Sequence, residues 1–381
     1  MITILCVWAG GLGAAAQFGK VSVLYPALAL EYPGASAVAL GLIVSVVGMV
    51  GLVFGITAGL LVARVGVRRG LVAALLMGAA MSLVQSQGLP YGLMIASRVV
   101  EGVSHLAIVV IGPTVIAGLA CDRYRGLAMT LWSSFFGLTY AVLALFAAGA
   151  SVAGLFVAHA GWMAGVAVVL AFLLPRGGVR PWPEGLGGVM AQHAAIYRSS
   201  SVAAPAFGFF SYTFLYVAML TLLPPEVPLA ERALVAAGMP LISIVVSMTL
   251  GVWLLGRMPA WRLVQLGYGL AVPGFAVLAL VWGDGPMMAV AGLWLAAALG
   301  LVQGACFAAI PELNPGVDAR ARAAGAIAQL GNLGTTTGTP VLAAVLVGMG
   351  PAGLCMVAVA ACALGAGLHQ MQARRRDILG Q

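Results

Sequence analysis

Hydrophobic positions fill this chain in long runs, and polar positions are confined mostly to the short breaks between them. The runs are about 17–30 residues long, and the breaks are rich in Gly, Pro and Arg. An α-helix rises about 1.5 Å per residue and a bilayer core is roughly 30 Å thick, so each run is long enough to span a membrane or nearly so. Twelve spans are predicted, near 3–30, 36–63, 70–87, 90–120, 126–150, 157–175, 201–224, 233–256, 261–282, 286–312, 322–348 and 351–369. Ala14-Ala15-Ala16 would suit a leader-peptidase site, but the first run lacks a basic start and stays apolar to about Leu30. It reads as an uncleaved span.

The basic residues test this count. Seventeen are Arg and one, Lys20, is Lys. With the N-terminus inside, the cytoplasmic segments hold Arg64, Arg68, Arg69, Arg123, Arg125, Arg176, Arg180, Arg198, Arg257, Arg262, Arg320, Arg322, Arg374, Arg375 and Arg376. Only Arg232 falls in a periplasmic loop, while Lys20 and Arg98 lie within spans. That bias predicts an inner-membrane protein with both termini cytoplasmic. The longest break, 176–200, divides the chain into six-helix bundles over 1–175 and 201–369, followed by a cytoplasmic tail at 370–381. A faint repeat agrees: Val100-Glu101-Gly102 is echoed by Val302-Gln303-Gly304, and Pro113 and Pro315 follow the two glycines at equal spacing. The expected fold class is an all-α polytopic membrane protein of twelve helices in two pseudo-symmetric bundles.

Composition narrows the class further. The chain is 62% hydrophobic and 7% charged, against roughly 25% charged residues in soluble domains. Its solvent is therefore lipid, and the net charge of +8 does not imply a nucleic-acid partner. The five cysteines are scattered without metal spacing or a disulfide framework.

Candidate chemistry concentrates in Arg98-Val-Val-Glu101-Gly102-Val-Ser-His105. At 100° per residue Arg98, Glu101 and His105 form one stripe on a helix that must cross the membrane. A charge at mid-bilayer costs roughly 2.5–3.5 kcal/mol and survives mainly where it faces a bundle interior or a watery cavity. The stripe is thus a functional-site candidate, with a purely structural ion pair as the competing reading. Lys20 lies roughly 15 Å from the outer end of helix 1 and Arg98 about 13 Å from that of helix 4. A lysine stem is too short to snorkel out from that depth.

Several motifs together resemble the major facilitator superfamily. Gly59-Leu-Leu-Val-Ala63-Arg64-Val-Gly66-Val-Arg68-Arg69 is similar to its loop signature between helices 2 and 3. Arg98 with Glu101-Gly102 resembles its helix 4 signature, and Arg125-Gly126 and Gly161-Trp162 sit where members often place such pairs. The resemblance implies two bundles rocking around a central site lined by helices 1, 4, 7 and 10. It also implies gating roles for Gly59, Arg64, Gly66, Arg68 and Arg69. Ala63 departs from the signature, which usually has an aspartate that helps latch the two halves; either the latch is weaker here, or an acid such as Glu312 or Asp318 replaces it. Helix 5 lacks the glycine–proline signature of drug–proton antiporters.

On that frame Lys20, Arg98 and Glu101 give the cavity an excess positive charge, which favours a small organic anion, with Arg suited to carboxylate or phosphate. Glu101 is the expected proton-coupling acid and His105 a second candidate. Tyr212 and Tyr216 of helix 7, Gln303 of helix 10, and Gln329 and Asn332 of helix 11 are further candidate solute contacts. Gly331, Gly334 and Gly338 occupy the opposite face of helix 11 and suit close packing. Met77 with Met81 and His159 with Met163 have ligand spacing for copper(I), but helix 3 is peripheral in the family and His159 lies near the outer mouth. They read as packing residues, so no metal or other cofactor is expected. No phosphate loop, zinc helix or nucleophile elbow is present. The expected function is proton-coupled transport of a small, anionic solute by a functional monomer acting as a symporter, and not enzymatic. Proton-driven export of lipophilic or cationic compounds, a receptor or assembly role without transport, and a membrane enzyme using Glu101 and His105 are the competing classes.

Overall fold

The computed structural model describes residues 1–55, 65–121, 128, 131–132, 134–147, 149–175, 194–314 and 317–379. Every regular element among them is helical. In chain order the helices are α1 (Ile2–Val23), α2 (Tyr25–Glu31), α3 (Ala37–Ser45), α4 (Gly48–Phe54), α5 (Val67–Gln85), α6 (Tyr91–Leu119) and α7 (Phe135–Phe146). They continue with α8 (Val152–Leu173), α9 (Ser200–Glu226), α10 (Leu229–Val246), α11 (Val252–Leu255), α12 (Ala260–Leu280), α13 (Gly285–Leu313) and α14 (Val317–Leu379). A short π-helical turn at Ser247–Gly251 joins α10 to α11.

Nine of the described helical stretches are long and apolar enough to cross a membrane, or ten when the bent pair α3–α4 counts as one. The last stretch contains a break at Gly350, whose φ of 70° only glycine adopts readily, between the two final runs read from the sequence. α7 is apolar but has twelve described residues, about 18 Å of rise, too little to span alone. The segment before it, including Arg123, Arg125 and Gly126, lies outside the described residues, as do Gly59, Ala63, Arg64, most of the expected linker 176–200 and the side chain of Asp318.

The chain divides into two compact units: Met1–Ala35 with Leu42–Glu184, and Ser36–Gly41 with Gly185–Gln381. Helix ends follow local chemistry. Ser151, Ser199 and Asp284 cap α8, α9 and α13 by accepting from Gly154 N–H, Val202 N–H and Met287 N–H respectively, which satisfies donors a helix start leaves open. Pro90 and Pro259 precede α6 and α12.

In the first unit Val7, Leu75, Ile108, Met163 and Leu170 belong to one core, contributed by α1, α5, α6 and α8. In the second, the glycine face Gly331–Gly334–Gly338 lies against α9 at Phe209, Phe210 and Phe214, so close that a side chain at Gly334 or Gly338 would run into the α9 backbone. Small residues let helices approach in this way where no hydrophobic effect drives them together. Gly102 does the same in the first unit, where a Cβ would lie 2.5 Å from the Val47 carbonyl oxygen and 2.9 Å from Val50. That contact seats α6 on the α3–α4 break, which bends by 61°.

Gly102→Val therefore forces the α6–α4 contact apart and is expected to destabilise the protein by about 1–3 kcal/mol. Gly118→Ala, on the same helix with nothing within 4 Å of its Cβ position, leaves the melting temperature unchanged. Thermal unfolding in detergent checks both, and an unchanged Tm for Gly102→Val would contradict the packing described.

A buried charge cluster as the candidate functional site

The close approach at Gly102 has a chemical consequence one turn earlier on α6. A helix leaves its last carbonyls without N–H partners, and α3 ends just before the bend. Arg98 reaches them: its Nε donates to the Ile43 carbonyl at 2.9 Å and its Nη2 to the Val44 carbonyl at 3.1 Å. A guanidinium suits this position twice over, since its fork meets adjacent acceptors and its charge faces the negative end of a helix. Its Nη1 pairs with Glu101 Oε2 one turn along α6.

The other oxygen of that carboxylate is taken from α1. Lys20 Nζ donates to Glu101 Oε1 at 2.7 Å, so one carboxylate bridges two cations. Lys20, Arg98 and Glu101 are each fully buried. The ammonium has further acceptors in Gln85 Oε1 at 3.1 Å and Ser82 Oγ, with His159 Nδ1 at 3.3 Å and the Phe156 ring centroid at 4.5 Å. Gln85 also donates through Nε2 to Glu101 Oε2 at 2.9 Å and to Ser97 Oγ at 3.2 Å. The cluster thus draws side chains from α1, α5, α6 and α8 and backbone carbonyls from α3.

Hydrogen-bond partners fix the imidazole tautomers. His159 Nε2 lies 2.9 Å from the Gly13 carbonyl, which can only accept, so Nε2 carries the hydrogen. In the neutral ring Nδ1 is then an acceptor, and Ser82 Oγ lies 2.6 Å from it. His105 Nδ1 lies 3.0 Å from the next α1 carbonyl, Ala14, and the ring sits edge-on to Phe18 at 5.0 Å. Two histidines on different helices hold consecutive carbonyls of α1, one turn below Gln17 and two below Lys20.

Of the residues expected from the sequence, Lys20, Arg98 and Glu101 come together directly, and His105 packs beside α1 with its Nδ1 turned to the backbone. Ser82, Gln85 and His159 also belong to the cluster, although sequence reasoning does not single them out as site residues. The spacing of Ser82 and Gln85, one helical turn apart in an otherwise apolar span, is the available signal. His159, expected as a packing residue near the outer mouth, is buried against Lys20 instead.

The remaining candidates are distributed elsewhere. Tyr212 and Tyr216 are buried and stack on each other with centroids 5.0 Å apart. Gln329 Oε1 accepts from Tyr197 Oη–H at 2.6 Å, and Asn332 Nδ2 donates to the Ala328 carbonyl of its own helix at 2.7 Å. Gln303 is half-buried on α13. Glu312, expected at a gate, accepts the backbone N–H of Ala260 at 2.9 Å and so caps the start of α12. Gly66 starts α5 with φ 84°, and Arg68 and Arg69 follow in its first turn.

The charge balance of the cluster predicts an asymmetric response to mutation. Lys20→Met leaves the neutral Arg98–Glu101 pair, whereas Glu101→Leu leaves two buried cations without a counter-ion. Glu101→Leu is expected to cost about 3–5 kcal/mol, as removal of one partner from a buried pair does, and Lys20→Met less than half of that. Equal losses of Tm in detergent would contradict a cluster organised by Glu101.

Residues 7–339 match the Major Facilitator Superfamily profile. No curated protein sequence matches the chain. Among solved structures, the human organic anion transporter MFSD10 (TETRAN) superposes with a TM-score of 0.74 at 18% identity, covering 96% of this chain and 98% of that one. A bacterial homologue of the human lysosomal transporter Spinster, inward-facing and occupied, gives 0.73 at 13% identity over 97% and 96% of the two chains. The D-xylose–proton symporter gives 0.75 at 14% identity over 96% of each. With nearly nine-tenths of its length inside the family profile and an all-helical fold shared with these transporters, the chain belongs to the Major Facilitator Superfamily.

Proposed function

We propose that this protein is a secondary active transporter that moves a small organic anion across the cytoplasmic membrane by alternating access, in symport with protons. The observation that carries the reading is the buried carboxylate of Glu101 held between Lys20 and Arg98. With all three ionised the cluster carries one excess positive charge. A proton on Glu101 raises that excess to two, and an anion entering the low-dielectric site then meets a stronger attraction. Proton and anion therefore favour each other's binding, which is what a symporter requires.

The two cations have different roles in this scheme. Arg98 is anchored to the Ile43 and Val44 carbonyls and orients Glu101. Lys20 has alternative acceptors around it in Gln85 and Ser82, so it is the cation that swings to the solute when Glu101 is neutral. His105 and His159 hold α1 by the Ala14 and Gly13 carbonyls. From the C-terminal bundle Gln303, half-buried on α13, is the side chain we assign to a polar group of the solute. Alternating access in this family uses two bundles, here assigned to 1–175 and 201–369, and the arginine distribution orients both termini to the cytoplasm. The fold likeness to an organic anion transporter and to a proton symporter supports the same class.

Proteoliposomes containing only this protein test the reading. Under an imposed pH gradient, a labelled carboxylate from a panel of mono- and dicarboxylates is expected to accumulate. Glu101→Gln should abolish pH-driven accumulation while keeping solute exchange, and Lys20→Gln should abolish both. Uphill accumulation retained in Glu101→Gln, or transport confined to lipophilic cations, would overturn the assignment.

A further inference from the structure

A groove of about 430 Å³ opens on the surface of the first unit between the N-terminal turns of α5 and the C-terminal end of α8. Its volume falls in the range of small-molecule sites, about 300–1,000 Å³. One end is polar and the other apolar: Arg68 and Arg69 stand at the helix start, and Val72, Leu76 and Ala171 line the wall beyond them. Arg69 is exposed and Arg68 half-buried, and Leu76 leaves 47% of its surface open. α5 begins on Gly66, which offers no capping side chain to its first N–H groups.

Both elements run into the bilayer from this end, α5 inward from Val67 and α8 outward to Leu173, and they share one core through Leu75, Met163 and Leu170. The arginines therefore mark the water–headgroup boundary, and the apolar wall lies at acyl-chain depth. On the orientation that the arginine bias gives, the groove faces the cytoplasmic leaflet.

We propose that this groove is a binding site for an anionic phospholipid, with the headgroup phosphate between Arg68 and Arg69 and an acyl chain along Val72, Leu76 and Ala171. The argument is charge and polarity complementarity together: arginine forks bind phosphate bidentately, juxtamembrane basic residues attract anionic lipid, and the apolar wall continues where the lipid tail must run. A soluble anion would leave the wall unused, and a zwitterionic lipid would bring, beside its phosphate, a headgroup cation that the two arginines repel.

Binding of phosphatidylglycerol to the detergent-purified protein, followed by native mass spectrometry and by thermal stabilisation, tests the proposal. Phosphatidylcholine with the same acyl chains and the soluble headgroup analogue glycerol phosphate are the comparisons. Phosphatidylglycerol is expected to bind in preference to both, and about fivefold more weakly for each of Arg68→Gln and Arg69→Gln. Leu76→Trp, which fills the apolar wall and keeps both arginines, should weaken the bound phosphatidylglycerol as well. Equal binding of the two phospholipids would show an acyl groove without headgroup selection and overturn the proposal. So would arginine-dependent binding of glycerol phosphate as tight as that of the lipid, or phosphatidylglycerol preference surviving in the double arginine variant. That both arginine variants are folded is read from a single monodisperse peak in size-exclusion chromatography and a cooperative thermal transition without added lipid.

Discussion

A fully buried carboxylate shared by two cations is the constraint on which the N-terminal unit depends. Removing Glu101 strands two cations in a medium that solvates them poorly, at a cost of several kcal/mol, whereas the carboxylate itself keeps a counter-ion when one cation is lost. The surrounding structure is arranged to keep the partners in reach. Lys20 comes from α1, its secondary acceptors from α5, and the histidine beside it from α8. The bend between α3 and α4 frees the carbonyls that hold Arg98, and Gly102 lets α6 approach that bend closely enough for the guanidinium to reach them. Sequence, backbone distortion and electrostatics meet at one point.

Much of this is legible in the amino-acid sequence. Ionisable residues inside apolar runs announce themselves, because their insertion cost makes them rare; Arg98, Glu101 and Lys20 are visible on that ground. The 98–101 spacing also puts the arginine and the carboxylate on one helix face. What the sequence does not disclose is the rotation of the other helices. α5 and α8 are apolar nearly all round, so beyond the one-turn spacing of Ser82 and Gln85 they give little periodic signal for which side turns inward. Ser82, Gln85 and His159 are uncharged, so they stand out little from a lipid-facing background, yet they complete the cluster. His105 shows a further side of this: its place on the charged stripe is read from the sequence, but the bond from its Nδ1 to the Ala14 carbonyl of α1 is not.

The second unit is harder to read for a related reason. Most of its candidates are neutral, and neutral polar side chains in membranes commonly satisfy their own helix or a neighbour. Asn332 bonds back to Ala328 and Gln329 bonds to Tyr197, while the charged Glu312 caps α12. The glycine face of α14, by contrast, follows directly from spacing, since close helix contact has few solutions other than small residues. Asymmetry between the units is itself informative. The Lys20–Glu101 and Arg98–Glu101 pairs lie in the N-terminal unit, which makes it the seat of charge coupling in the proposed cycle.

The proposed cycle stands on one linked event, protonation of Glu101 as an anion binds. Calorimetric titration of the purified protein with a carboxylate found to be transported, repeated in buffers of different ionisation enthalpy, counts the protons taken up on binding. The cycle predicts net uptake approaching one proton per bound anion above neutral pH, falling to none in Glu101→Gln. Anion binding without proton uptake in the unmodified protein, or uptake that persists in Glu101→Gln, would contradict it.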